Sequence, residues 1–191
     1  IDKALGPLAE LDAVRAVLTQ LPIDTPPIAV AQHMPPGFTK RFAARLDELC
    51  DLTVLEAEDR TILKRGHVYV APGDRHLRIE RGSGHFRARL GEDELISGHR
   101  PSVDALFRSV AKAAGPTAVG IILTGMGRDG ASGLKLMRDA GAYTIGQSQA
   151  SALVYGMPHV AFEEGAVIEQ AAVEAIAGRL ATALGRLKSA A

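Results

Sequence analysis

The chain has 191 residues, with 22 basic and 22 acidic side chains, a hydrophobic share of 47% and a single cysteine. One cysteine excludes an internal disulfide scaffold, and the balanced charge argues against a nucleic-acid-binding protein, whose affinity rests mainly on a basic face. No apolar run approaches the roughly 18 residues of a membrane span, and the first residues lack the pattern of a signal peptide. The composition therefore predicts a soluble, cytoplasmic, single globular domain over residues 1–191.

The predicted elements alternate between helices and short strands. A helix is predicted at 8–18, then a strand at 28–31, a helix with Thr39 as its N-cap, and strands at 53–55 and 67–71. Segments 77–80 and 86–90 are predicted to form a hairpin, and Ser102 is the predicted N-cap of the helix that follows. An apolar strand is predicted at 118–123 and a helix from 131. The remaining predicted elements are strands at 142–145 and 166–168 and a helix at 171–187. This order predicts an α/β fold: a doubly wound, mostly parallel sheet with helices on both faces and an attached antiparallel hairpin.

His33 is the first candidate for chemistry, because it directly follows the strand at 28–31. Open α/β sheets place their sites outside the carboxyl ends of the strands, and two prolines at 35–36 restrict the loop. A histidine held there can act as a general base. A role limited to packing or hydrogen bonding is the alternative. The same plain interpretation is favoured for the remaining histidines: His67, His76, His85, His99 and His159.

The glycine-rich loop 124–130 follows the apolar strand and precedes a helix. Its backbone amides can hold a phosphate or an oxyanion, and Asp129 can orient an imidazole or serve as the N-cap of the next helix. Residues 125–130 also match the spacing G-x-G-x-x-G of dinucleotide-binding loops. That motif needs an acidic residue about 20 positions on, and the strand end at 146–149 carries no carboxylate. A nicotinamide cofactor is therefore not expected.

Arg100 is the third candidate, because it opens the helix that Ser102 caps. Its guanidinium could clamp a carboxylate or an amide-bearing substrate, or it could be a solvated arginine at a helix start. Asp104, in the first turn, is explained by the helix macrodipole. No His-x-x-x-His, cysteine pair or acidic calcium loop occurs in the sequence. Neither a metal nor a cofactor is predicted.

Five motifs occur in one order along the chain: Gln32–Phe38, Val70–Asp74, Arg100–Asp104, Leu123–Gly130 and Gly156–Pro158. Together they closely resemble the catalytic domain of the bacterial chemotaxis receptor methylesterase, the CheB family, from about Asp12 to the end. The resemblance implies hydrolysis of γ-glutamyl methyl esters on the cytoplasmic helices of chemoreceptors, in chemotaxis adaptation. Many members of that family also deamidate receptor glutamines.

The resemblance implies a role for each matched residue. His33 corresponds to the general base, Asp129 to the carboxylate that orients it, and the Met126 amide to part of the oxyanion hole. The implied partner is the cytoplasmic domain of a methylated chemoreceptor, without membrane insertion and without nucleic acid. Family members usually carry an N-terminal receiver domain, and no segment of this sequence resembles one.

The first ten residues depart from the family pattern. The family's first strand runs into Gly-Ala-Ser-Thr-Gly-Gly, whose serine is the nucleophile, and Leu5–Glu10 aligns there with Pro7 in the serine's place. Three interpretations remain. The chain is a non-catalytic, receptor-binding pseudoenzyme; or its N-terminal segment differs from the natural one; or another hydroxyl serves, of which Ser148 and Ser151 are the nearest to a strand end.

Overall fold

The computed structural model describes residues 11–189, and helices alternate with strands along them. Residues 11–18 form helix α1. The strands are β1 (Ile28–Val30), β2 (Thr53–Glu56), β3 (His67–Val70), β4 (His76–Arg81), β5 (Phe86–Gly91), β6 (Val119–Ile122), β7 (Tyr143–Gln147) and β8 (Glu169–Ala171). The further helices are α2 (Phe38–Asp47), α3 (Val103–Ala113), α4 (Ala131–Asp139), α5 (Met157–Glu163) and α6 (Val173–Ser189).

The parallel strands form two three-stranded sheets, here termed the first and second half-sheets. Strand order is β1-β3-β2 in the first half-sheet and β6-β7-β8 in the second, and every pairing within them is parallel. Strands β4 and β5 form an antiparallel hairpin in which His76 lies opposite Gly91. The predicted α/β class, with parallel strands and an attached hairpin, is confirmed.

Alternate residues of β3 pack on opposite faces of the first half-sheet. Tyr69 belongs to a buried cluster with apolar residues of β4, α3 and α4, whereas Val68 and Val70 belong to a cluster with α1, α2 and α6. All three side chains are at most 1% exposed, and burial of each contributes roughly 1.5–3 kcal/mol. Helices therefore cover both faces, which explains why the β3 sequence is apolar without alternation.

The prediction of Thr39 as an N-cap was wrong. Helix α2 begins at Phe38 after Gly37, and Thr39 lies inside its first turn. The Thr39 hydroxyl donates to Glu56 Oε1 at 2.5 Å and accepts from the Gly73 N–H at 3.0 Å. This buried hydroxyl joins α2 to β2 and to the loop after β3 instead of capping its own helix.

The predicted strand at 166–168 was also wrong, because β8 lies three residues later. The Thr144 hydroxyl donates to the Ala166 carbonyl at 2.6 Å, and the Ile168 N–H donates to the Thr144 carbonyl at 3.0 Å. These contacts bring the apolar residues to β7 before the regular ladder begins at Glu169. The apolar residues 166–168 therefore contact β7 just before the strand, and the strand itself begins at Glu169.

The other helices agree with the predictions only in part. Ser102 caps α3 through a hydrogen bond from the Ala105 N–H at 3.3 Å, as predicted. Helix α5 was not predicted, and α6 begins at Val173 instead of at 171. Residues 8–10 of the predicted first helix lie outside the described residues. No helix within residues 11–189 has the length and apolar character needed to cross a membrane.

Candidate active site

The two half-sheets each bring one side chain to a common edge. His33 follows the carboxyl end of β1, and Asp129 lies in the loop after β6. The His33 Nε2–H donates to Asp129 Oδ2 with an N···O distance of 2.7 Å, and the Asp129 side chain is fully shielded from solvent. Within residues 11–189 no hydrogen bond uses His33 Nδ1. The structure therefore brings together the predicted base and the predicted carboxylate, and it leaves Nδ1 without a hydrogen-bond partner among these residues.

Asp129 lies against the N-terminus of α3. Its carboxylate accepts hydrogen bonds from the Ser102 hydroxyl at 2.8 Å, the Val103 N–H at 2.7 Å and the Asp104 N–H at 3.0 Å. The Val103 and Asp104 amides are donors that a helix leaves unpaired at its first turn, where the macrodipole also favours a negative charge. Asp129 is not the N-cap of α4, since Gly130 precedes that helix and no side chain caps it. The N-cap alternative was wrong.

The surroundings of Asp129 keep its carboxylate ionised. Burial by itself would raise the pKa of Asp129, but the hydrogen bonds from His33, Asp104, Ser102 and Val103 outweigh burial and hold the pKa below its ordinary value. A buried carboxylate that stays ionised can fix the tautomer of a neighbouring imidazole and stabilise its protonated form. Asp129 meets this requirement at neutral pH.

His99 stacks on His33, a contact that the sequence did not predict. The ring centroids are 3.8 Å apart and the planes differ by 8°. Burial, followed by the charge of His33, lowers the pKa of His99, so the uncharged form of the His99 ring is favoured. The only sequence signal for this contact is that His99 directly precedes the matched Arg100 motif.

The loop that carries Met126 is fixed from one side by the segment before α5. The Gly125 N–H donates to the Val154 carbonyl at 3.0 Å, and the Gly125 carbonyl accepts from Met157 at 2.8 Å. Gly130 has φ +91°, and a Cβ there would lie 2.6 Å from Val103 Cγ1, so only glycine fits. The Met126 N–H donates no hydrogen bond within the described part of the chain. That amide is available to an oxyanion.

Arg100 is bound within the protein. Its guanidinium donates to Asp74 Oδ1 at 2.7 and 3.1 Å and to the carbonyls of Glu92 and Asp93 at 2.7 and 2.8 Å. The side chain thus ties the loop between β5 and α3 to the loop after β3, and it is not the solvated arginine of the alternative interpretation. Its predicted part in substrate binding stays a prediction.

Asp104 does more than complement the helix macrodipole. The side chain is buried, and it accepts from the Gly133 N–H of α4 at 2.6 Å and from the Ser97 hydroxyl at 3.0 Å. It therefore joins α3 to α4 and to the loop that carries His99. The explanation by macrodipole alone was incomplete for this reason.

A cavity of about 350 Å³ opens beside the imidazole pair. The predicted site residues His33 and Arg100 both line it, and the other lining residues are imidazole, apolar or glycine: Met34, Pro35, Leu95, Gly98, His99 and Pro101. Its volume lies at the lower end of the range of small-ligand pockets. No group of three or more potential metal ligands occurs within residues 11–189.

Ser148 and Ser151 are engaged away from His33. The Ser151 hydroxyl accepts from the Val173 N–H at 3.0 Å and from Gln147 Nε2 at 3.3 Å, and it lies 3.5 Å from the Ser148 hydroxyl. In the described structure no hydrogen bond connects either serine to His33. Pro7 and the rest of the segment aligned with the family's nucleophile motif lie outside the described residues.

Comparison with known proteins gives a consistent set of matches. The sequence profile of the family described as CheB methylesterase matches residues 8–180. Relatives from Yersinia pestis bv. Antiqua (strain Antiqua) and Escherichia coli (strain K12) are each 51% identical, over 88% and 83% of this chain. Both carry the name protein-glutamate methylesterase/protein-glutamine glutaminase. The aligned region is 48% and 45% of their lengths, so the chain spans about half of these curated relatives.

A solved structure has the same fold. The crystal structure of the Thermotoga maritima CheB methylesterase catalytic domain is similar with a TM-score of 0.86 and 37% sequence identity. The match covers 89% of this chain and 90% of that one.

Proposed function

Because the chain belongs to the CheB methylesterase family, we propose that it is the catalytic domain of a protein-glutamate methylesterase. Its substrates are γ-glutamyl methyl esters on the cytoplasmic helices of chemoreceptors, and hydrolysis serves chemotaxis adaptation. The His33–Asp129 hydrogen bond, formed by a buried and ionised carboxylate, carries this proposal. Deamidation of receptor glutamines is the second proposed activity, in line with the names of the relatives.

His33 acts as the base and then as the acid in the proposed reaction. Nδ1 takes the proton of a nucleophilic hydroxyl as its oxygen attacks the ester carbonyl, and Asp129 stabilises the resulting imidazolium through Nε2. Collapse of the tetrahedral intermediate expels methanol, which receives the proton from Nδ1. Water then attacks the acyl-enzyme with His33 again as the base, and the carboxylate product leaves.

The Met126 amide stabilises the oxyanion in this reaction. Its N–H is unpaired within residues 11–189, and donors of this kind supply roughly 3–4 kcal/mol of transition-state stabilisation in acyl transfer. The stacked His99 supports the same step, since a neutral ring face tolerates the charge that develops on His33.

The alternative function is a non-catalytic, receptor-binding module. Pro7 favours it, because proline has no hydroxyl and occupies the serine's place in the alignment. Loss of the nucleophile costs roughly a million-fold in turnover in a comparable triad hydrolase. The two functions therefore differ sharply in rate while sharing the same receptor, the same cytoplasmic location and the same cavity beside His33.

Methanol release from a methylated receptor fragment separates the two functions. We would assay the parent chain beside P7S/A9G/E10G, which introduces the serine and the two glycines of the family motif. We expect release from this variant at least about a thousand-fold above the parent. The matched controls are the same variant with His33→Ala and with Asp129→Ala, each of which should abolish release.

Receptor binding by a pull-down with the same fragment completes the assay. Binding without release from any variant supports the non-catalytic module. Release that survives both His33→Ala and Asp129→Ala would contradict the assignment of the site. An N-terminal receiver domain and a substrate contact by Arg100 remain predictions that this assay does not require.

A further inference from the structure

His76 is a fully buried histidine whose two ring nitrogens bind two different parts of the chain. The Nε2–H of His76 donates to the Glu94 carbonyl at 3.0 Å, and Nδ1 accepts from the Ser102 N–H at 3.3 Å. Because a backbone N–H can only donate and a carbonyl can only accept, Nδ1 is unprotonated and the ring proton lies on Nε2. The two partners therefore fix both the tautomer and the neutral state of this ring.

The partners of His76 flank a loop that lines the cavity beside His33. We term residues 95–101 the cavity loop. Ser97 and Arg100 have separate anchors in the middle of this loop. His76 instead binds the backbone just before the loop and just after it. Five residues of the loop line the cavity: Leu95, Gly98, His99, Arg100 and Pro101.

A tight turn gives the cavity loop its shape. The backbones of Ile96 and His99 exchange hydrogen bonds at 3.1 and 3.0 Å, and Ser97 and Gly98 between them have φ of +53° and +80°. Positive φ at both central positions is typical of a type I′ turn. Because the turn is closed by its own hydrogen bonds, its position relative to the rest of the protein depends on the contacts at its ends.

Two series of contacts lead from His76 to His33. One passes through the start of the cavity loop to the His99 ring, which stacks on His33 with 3.8 Å between the centroids. The other passes through Ser102, whose hydroxyl donates to Asp129 Oδ1 at 2.8 Å, while Asp129 Oδ2 accepts from His33. One buried ring thus supports both groups that contact the His33 imidazole.

We propose that His76 is a positioning residue for the candidate active site. By binding both ends of the cavity loop, it sets the His99 ring and the Asp129 carboxylate against His33 and fixes the shape of the cavity. An apolar side chain of similar size cannot replace it, because the buried Ser102 N–H would lose its acceptor. The consequence for turnover rests on the proposed function, whereas the positioning is measured without any ester.

Substitutions at His76 in the full chain test the proposal by NMR spectroscopy. His76→Leu removes both ring contacts, and we expect the ring resonances of His33 to move toward those of His99→Leu, in which the stack is absent. Amide hydrogen exchange at Ile96 and His99 should accelerate at least about tenfold, since the turn is then held at fewer points.

Two conservative variants separate the ends of the loop. His76→Asn places an oxygen where Nδ1 lies and keeps the Ser102 contact, whereas His76→Gln places an N–H₂ group where Nε2 lies and keeps the Glu94 contact. We expect His76→Asn to accelerate exchange in the turn and to leave the His33 Nε2–H resonance in place. His76→Gln should shift that resonance through Asp129 and accelerate exchange less.

Leu52→Ala is the matched control for a general loss of stability. Leu52 is buried in the cluster with α1, α2 and α6, whereas Leu77, the neighbour of His76 in β4, belongs to the other main cluster. Parent-like His33 resonances in His76→Leu would overturn the proposal, and so would equal shifts in Leu52→Ala. If His76→Leu does not fold, the other two variants decide, and identical effects of both contradict the proposal.

Kinetics connect the positioning to the proposed function. In P7S/A9G/E10G we expect His76→Asn to raise KM for the receptor fragment more than it lowers kcat, because the cavity loop loosens while the Asp129 contact is kept. A lowered kcat with unchanged KM would contradict a role in shaping the cavity. Absence of release from P7S/A9G/E10G contradicts the proposed function alone, and the NMR results then decide on His76.

Discussion

Asp129 combines two roles in one carboxylate at the scale of single residues. One oxygen binds His33 and the Val103 N–H, and the other binds the Ser102 hydroxyl and the Asp104 N–H. The residue that orients the imidazole thus also completes the first turn of α3. We therefore expect a change at this position to alter the stability of the fold as well as the proposed chemistry.

Asp129→Asn should lower the free energy of unfolding by roughly 1–3 kcal/mol. The amide keeps the shape of the carboxylate but turns an N–H₂ group toward donors that need an acceptor. Urea denaturation measures the loss. The control is Asp51→Asn, an exposed aspartate, which should change stability by less than about 0.5 kcal/mol. Equal effects of the two substitutions would contradict the role of Asp129 at α3.

The stabilisation from Asp129 should disappear in acid. Because the pKa of Asp129 is lowered in the folded protein, its contribution is complete above the unfolded value of about 3.9 and is lost as the pH falls through the folded pKa. The difference in unfolding free energy between the parent and Asp129→Asn should therefore shrink below about pH 4. A difference that stays constant to about pH 2 would argue against an ionised Asp129.

At the scale of elements, the loop after β1 is held in place by close backbone contact with the loop after β3. A Cβ at Gly73 would lie 2.5 Å from Pro36 N and 2.6 Å from the Pro35 carbonyl carbon. The loop after β3 thus presses directly on the loop that carries His33. Two of the motifs that appear separately in the sequence are one packed unit in the structure.

Gly73→Ala should destabilise the chain by roughly 1–3 kcal/mol, because neither proline backbone can move without shifting His33. Gly178→Ala is the matched control. It lies inside α6 with open space around the position of its Cβ, and alanine there should stabilise by roughly 0.5–1 kcal/mol. Thermal unfolding of both variants checks the prediction, and changes of the same sign would contradict it.

The sequence predicts local structure, and the residues that lie at the carboxyl edge of the sheet, better than it predicts contacts between distant parts of the chain. The placement of His33 and Asp129 after strands follows from periodicity and the strand-end rule, and the structure joins them. Neither the stack of His99 on His33 nor the Asp129 contact with α3 could be predicted, because both depend on loop conformations that no periodic pattern encodes. Thr39 shows the same limit, since a tertiary contact with Glu56 replaced its local capping role.

At the scale of the whole molecule, the parallel strands are divided between two half-sheets. Helices α1 and α6 on one face and α3 on the other connect them through apolar side chains. The single-domain organisation predicted for residues 1–191 remains a prediction.

The His33–Asp129 hydrogen bond also connects the two half-sheets. His33 follows a strand of the first half-sheet and Asp129 follows a strand of the second, so this 2.7 Å contact joins the carboxyl edges of the two half-sheets. We expect the proton that His33 Nε2 donates to this buried carboxylate to give a deshielded proton NMR resonance. The imidazole that would carry a proton in the proposed reaction can therefore report on the contact between the two half-sheets in the absence of substrate.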